Sequence, residues 1–580
     1  MEIKVTRQCS LPLTKISVFT DDEPTENGGN LMKRNRKLLA VSSACMIMAA
    51  SVTSCGESKN ETVSGSYKEE SSAYEYYEES ADEEYAPEEY AGEYYAPESD
   101  YYWEEEPELP SSNEEYKGYA EAGFKETKSE PLSTFSADVD TASYTNVRRL
   151  IENGNLVPED AVRIEEFINY FDYAYPQPED DSAFGRYVEM ADCPWNPDHK
   201  LMMVGIQGKE LQQKETPPSN LVFLIDSSGS MNDYNKLPLV QTAFSLLAEQ
   251  LDRNDRISIV TYAGSSEIVL DGEKGSNTDE ILNKLYSISA SGSTNGEGGI
   301  KTAYELAEKH FIKGGNNRVI LATDGDLNVG ASSEEELISL IETKRDNGIY
   351  LSVFGFGEDN YKDARMEALA DNGNGNYSYI DSEEEAERVL VTEMSGTLYT
   401  IAKDVKIQVE FNPSQVKSYR LIGYDNRLME AEDFLDDTKD AGEVGSGHNV
   451  TALYEVELAD SGDTYHGVQL EFASEHDSIP AENNGRSEIC KLSIAYKTPV
   501  GNENRTTSDL YGMEKYSSSP SDSMKLAQAV TEFGMVLRNS EYKGNAEFDT
   551  VLDILDELNV NDNDKINELY DLVLNAQHMY

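Results

Sequence analysis

Residues 220–226, Asn-Leu-Val-Phe-Leu-Ile-Asp, set five apolar side chains in a row before a carboxylate. A run this short, rich in β-branched and aromatic types, reads as a strand covered on both faces, and such strands belong to parallel sheets with helices on each side. The following sequence keeps that alternation. Apolar runs predict strands at 221–226, 256–262, 268–270, 319–323, 350–355 and 377–380, and helical periodicity predicts helices at 237–251, 279–287, 298–310, 333–347, 363–370 and 383–396. Ser333 with Glu336 and Ser382 with Glu385 carry the spacing of a capping box. The link between the second and third strands is too short for a crossover, which requires an antiparallel edge hairpin. The expected fold class is therefore α/β, a doubly wound and mostly parallel sheet.

The polar turn that ends the first strand, Asp226-Ser-Ser228-Gly-Ser230, offers a carboxylate and two hydroxyls at alternate positions, hard oxygen donors of the kind Mg²⁺ or Ca²⁺ takes. Two later stretches add Thr294, in Ser-Gly-Ser-Thr-Asn, and Asp324, in Thr-Asp-Gly after a second apolar run. This combination resembles the metal-ion-dependent adhesion site of von Willebrand factor type A domains, and the resemblance extends over residues 220–396. It implies that Ser228, Ser230 and Thr294 act as direct or near-direct ligands, with Asp226 and Asp324 binding directly or through water. It also implies a divalent cation, Mg²⁺ before Ca²⁺ or Mn²⁺, whose open position takes an acidic side chain from a protein ligand. Asp326 makes the rim more acidic than the family pattern.

The rest of the chain divides by composition. Lys33 to Lys37 form a basic cluster, residues 38–50 are apolar but too short to span a bilayer, and Val-Thr-Ser-Cys follows at 52–55. The pattern resembles the signal peptide and lipobox of bacterial lipoproteins, over residues 32–54, with Cys55 as the lipid-bearing first residue of the mature chain. Gly56 after it points to the outer membrane under the usual sorting rule. Signals start at the N-terminus, so residues 1–31 read as a mis-assigned start upstream of Met32. Residues 55–130 are dominated by Glu, Tyr, Ser and Pro with almost no aliphatic side chains, the composition of an extended tether.

Folded sequence resumes at 131–219, with helices expected at 145–153 and, capped by Asp160, at 160–171, then two strands around Pro194-Trp-Asn-Pro. This flank resembles the segment that precedes the A domain in a group of bacterial envelope proteins, which also carry an uncharacterised domain after it. Asp138 and Asp140 read as a structural turn in preference to a second cation site. Residues 397–500 alternate apolar and polar types, with strands expected at 418–423, 449–458, 467–473 and 488–495, and helical periodicity returns over 515–580. Strands on both sides suggest that the α/β domain is inserted into a β-sandwich built from both flanks. Of five cysteines, Cys193 and Cys490 remain in the folded part, either bonded to each other across that sandwich or standing as separate buried thiols.

The net charge of -62 repels nucleic acid and anionic lipid. No nucleophile elbow, phosphate loop or His-Glu-x-x-His pair occurs, and carboxylates are too frequent to mark a hydrolase site. The chain reads as a non-enzymatic, lipid-anchored envelope protein that binds a protein ligand through a divalent cation. The alternative is an accessory factor for an envelope complex or a partner ATPase.

Overall fold

The computed structural model describes residues 114–137, 140–211, 216–325, 334–358, 362–393, 396, 398–459, 487–499, 502–558 and 563–580. The signal segment, Cys55, the acidic tether up to residue 113, Asp138, Asp326, the Ser333 cap and the strand expected at 467–473 lie outside these residues.

The α/β domain holds a six-stranded sheet in the order Tyr377–Ile380, Tyr350–Phe356, Asn316–Thr323, Ser219–Asp226, Arg256–Tyr262, Ser266–Lys274. All neighbours run parallel except the last pair, which is the antiparallel edge hairpin. Every residue of Ser219–Asp226 is buried. Its side chains alternate between two cores. Leu221, Phe223 and Ile225 pack with Val240, Phe244 and Leu247 of the helix Leu237–Gln250. Val222 and Leu224 face Ile300, Ala303 and Tyr304 of the helix Gly296–Lys309 on the other side. The unbroken apolar run thus exists because each face of the strand has its own helical layer.

Around this domain the two flanks form one module. A five-stranded sheet orders Lys125–Glu126, Val416–Ile422, Asn449–Leu458, Lys200–Gly208, Phe184–Asp192. A second sheet orders Leu428–Met429, Leu132–Ser136, Thr400–Phe411, Glu488–Lys497, Asn504–Gly512, with Val444–Gly445 also on Thr400–Phe411. Both sheets interleave strands from before and after the α/β domain, so neither flank completes a sheet alone. One apolar core joins the sheets, with Val204 and Tyr454 of the first and Phe135, Val409 and Leu492 of the second among its members. Helices Asp522–Leu537, Phe548–Asp556 and Asp564–Met579 share another core with Ala142–Glu152 and Ile164–Tyr170.

Cys193 and Cys490 are both free and buried. The strand Lys200–Gly208 shows why they do not meet: Leu201 and Met203 point into the helical core that contains Cys193, whereas Met202 and Val204 point into the inter-sheet core. There Cys490 Sγ lies 3.8 Å from Met202 Sδ. The thiols therefore occupy cores on opposite faces of one sheet, and the bond considered from the sequence is replaced by two separate buried thiols. Burial pushes both up, Cys490 to about 12.

The second flanking helix also differs from expectation. Asp160 sits in a short turn at Glu159–Ala161, and the helix starts at Ile164 behind Arg163, with no side-chain cap. Arg163 is instead buried against Glu166 on its own helix and Asp363 of the α/β domain, the latter at 2.5 Å. Asp140 accepts from the Tyr377 backbone N–H at 2.8 Å and pairs with Arg427 at 3.0 Å, tying the flank to both neighbours. The α/β domain is thus docked through buried ion pairs, which demand their partners in place because a lone buried charge is costly.

Candidate functional site

The site is built at the carboxyl ends of Ser219–Asp226 and Asn316–Thr323. These strands pair in parallel with Ile225 opposite Ala322, so Asp226 ends its strand beside Thr323, and Asp324 follows one residue beyond at the same carboxyl edge of the sheet. Chain direction diverges to the two sides of the first strand at this point, where open α/β sheets leave a crevice. Asp226 is fully buried, and one of its carboxylate oxygens accepts from the Ser228 N–H at 2.9 Å, closing the turn that presents the hydroxyls. Ser228 Oγ and Ser230 Oγ stand 3.0 Å apart. Thr323 Oγ1 lies 3.4 Å from the other Asp226 oxygen and accepts from the Gly325 N–H at 3.2 Å.

The loop that carries Thr294 is tied to this turn by backbone. Ser291 N–H donates to the Ser227 carbonyl at 2.7 Å and Gly229 N–H to the Gly292 carbonyl at 3.0 Å. Asn295 then caps the helix Gly296–Lys309, accepting from the Gly298 N–H. Thr294 is half-buried beside these anchors. Asp226, Ser228 and Ser230 therefore share one turn, Asp324 flanks it just past the end of the adjacent strand, and Thr294 is brought to it by its loop.

Two features make the donor set suitable for a hard divalent cation. Asp324 is 1% exposed and its Oδ1 has no hydrogen-bond partner, an unmet acceptor in a place where such atoms are costly. Burial, with the negative charge of Asp324 adding to it, pushes the Asp226 carboxyl up to about 6. A positive charge would offset both. Among the described residues no three His, Cys, Asp or Glu side chains cluster as metal ligands. Any coordination here draws on the hydroxyls as well as the two carboxylates, which leaves a cation short of negative charge.

Lys236 is the residue that sequence reasoning missed. It precedes the helix Leu237–Gln250, is 6% exposed, and donates through Nζ to Asp324 Oδ2 at 3.1 Å. No spacing rule marks a lysine ten residues beyond Asp226, because the contact is made through the fold. Beside it a cleft of about 390 Å³ is lined by Tyr234, Asn235, Gly357 and Glu358 on the site's edge and by Arg148 and Arg149 from the flanking helix. Tyr234 projects into solvent with 85% of its surface exposed.

A family model described as von Willebrand factor type A domain matches residues 220–393, and one described as von Willebrand factor matches residues 110–203. A third, described as Uncharacterized protein YfbK, C-terminal, matches residues 396–579. The Uncharacterized protein YfbK of Escherichia coli (strain K12) is 42% identical over 443 residues, 75% of this chain and 76% of that protein. The chain belongs to the YfbK family. Its α/β domain is a type A domain, and the region after it is the C-terminal domain of that family. Inter-alpha-trypsin inhibitor heavy chain H3 of Mesocricetus auratus is 27% identical over 175 residues, 29% of this chain and 20% of that one. The solved von Willebrand factor type A protein from Catenulispora acidiphila aligns over 70% of this chain and 89% of its own, at 12% identity and a TM-score of 0.38.

Proposed function

We propose that this YfbK-family protein is a non-enzymatic, lipid-anchored protein of the bacterial cell envelope whose type A domain binds a protein ligand through a divalent cation. The observation that supports it most is the pair Asp226 and Asp324, buried side by side with one Asp324 oxygen unpartnered, next to two hydroxyls 3.0 Å apart. Asp226, Ser228, Ser230, Thr294 and Asp324 would hold the cation, with Mg²⁺ the first choice for so compact a set of hard oxygens. The cation supplies a Lewis-acidic position for an acidic side chain of the partner. Exposed Tyr234 and the adjoining cleft add an aromatic contact of the kind that carries binding energy at interfaces. The buried ion pairs tie the domain to its interleaved flanks, which suits a docking platform. Attachment through lipid on Cys55 follows from the basic, apolar and small-residue segments ahead of it.

The test is retention of envelope proteins on the immobilised full chain in Mg²⁺, against EDTA and against Asp226→Ala. A partner retained only by the Mg²⁺-loaded wild type supports the reading, and a partner indifferent to both changes overturns it. Mass measurement of the mature N-terminus tests the anchor separately, since the lipid must sit on Cys55.

A further inference from the structure

Lys236 is poorly explained by the helix it precedes. The N-terminal end of a helix favours small polar or acidic residues and disfavours cations, and the Lys236 side chain caps nothing there. Its stem instead passes directly over Gly357. At Gly357, where φ is +76°, an added Cβ would come within 2.4 Å of Lys236 Cε and 2.5 Å of its Cγ. Both the positive φ and the close approach favour glycine there. From there Nζ reaches Asp324 Oδ2, leaving Asp324 Oδ1 as the unpartnered atom. The sequence thus accepts a poor helix start and a glycine at the strand end so that one ammonium reaches one carboxylate of the cation site.

We propose that Lys236 is a resident counter-charge of this site, a positioning residue that makes divalent-cation binding weak until an anionic ligand arrives. Without metal, its ammonium balances Asp324 beside buried Asp226. With a divalent ion, two carboxylates and one ammonium leave an excess of positive charge. The partner's carboxylate then completes both the coordination and the charge balance. A neutral residue at 236 removes that excess, so the cation binds more tightly and has less need of an anionic ligand, while the metal-free carboxylates lose their balance. Even under water-like screening, one unit charge about 5 Å from a divalent ion changes its affinity by at least about tenfold.

The inference rests on the cation-site reading, and one experiment separates the two. Mn²⁺ is titrated into the metal-free full chain, free Mn²⁺ being followed by electron paramagnetic resonance, for wild type, Lys236→Met, Lys236→Gln, Lys236→Arg and Asp226→Ala. Thermal melts are recorded with and without Mn²⁺. Both neutral variants should bind at least about tenfold more tightly than wild type, melt lower without metal, and gain more in melting temperature on adding Mn²⁺. Lys236→Arg, which keeps the charge, should bind as wild type does. If Mn²⁺ binds the wild type and not Asp226→Ala, but folded Lys236→Met and Lys236→Gln bind no more tightly, the role of Lys236 is overturned and the site stands. Arginine behaving like methionine would also overturn it, since packing and not charge would then be responsible. Absence of Asp226-dependent Mn²⁺ binding in every variant overturns both.

Discussion

Glu532 lies in the middle of the helix Asp522–Leu537, fully buried in the core shared by the C-terminal and flanking helices. One carboxyl oxygen accepts from Thr550 Oγ1 at 3.0 Å, and the other has no partner. Burial pushes the group from 4.5 up to about 7, with the Thr550 hydrogen bond opposing. The folded state therefore retains a proton that the unfolded chain releases, and the contribution is full below pH 4.5 and lost as pH rises through about 7. Two and a half pH units at 1.36 kcal/mol each set a ceiling of roughly 3 kcal/mol for the loss. Glu532→Gln keeps the shape and removes the charge. It should be close to neutral at pH 5 and stabilising by about 1–3 kcal/mol at pH 8. Guanidinium unfolding followed by the emission of Trp195, buried in the same core, reads this directly. A variant less stable than wild type at pH 8, or a difference between the two proteins that does not change with pH, would refute the argument.

Other substitutions probe the docking of the type A domain. Arg163→Met removes the guanidinium that pairs with buried Glu166 and Asp363 and should cost about 3–5 kcal/mol, seen as a lower melting temperature and faster proteolysis between the domains. Gly357→Ala strains a positive φ and collides with the Lys236 stem, so a loss of about 1–3 kcal/mol in thermal unfolding is expected, together with tighter cation binding if the lysine is driven off Asp324. Since Cys193 and Cys490 are free, reductant should leave the melting temperature unchanged, and non-reduced peptide mapping should find each thiol alkylated after unfolding; a cross-linked peptide would contradict the packing described.

The type A domain was legible because its five parallel strands are buried on both faces and are separated by helices of different period. The edge hairpin followed from one short link, and the Asp226 turn from donors placed two residues apart. Other features lacked such signals. The edge strand Asn504–Gly512 is largely exposed, so it shows no apolar alternation to mark it. Leu132–Ser136 gains its identity from pairing with Thr400–Phe411, far away in sequence. Asp160 has the type and position of a cap, yet the tertiary pull of Asp363 on Arg163 starts the helix later. The cysteines were ambiguous because which face of a sheet a thiol occupies depends on register. Lys236 reaches the site through folded space, and helix signals at its own position argue against a lysine.

The most direct measurement is calorimetric titration of Mg²⁺ into the metal-free full chain, beside Asp226→Ala and Asp324→Ala. The account predicts saturable binding with one ion per chain in the wild type and none in either variant, since each removes one of the two carboxylates at the site. Binding that persists in Asp226→Ala with unchanged affinity would place the cation elsewhere and contradict it.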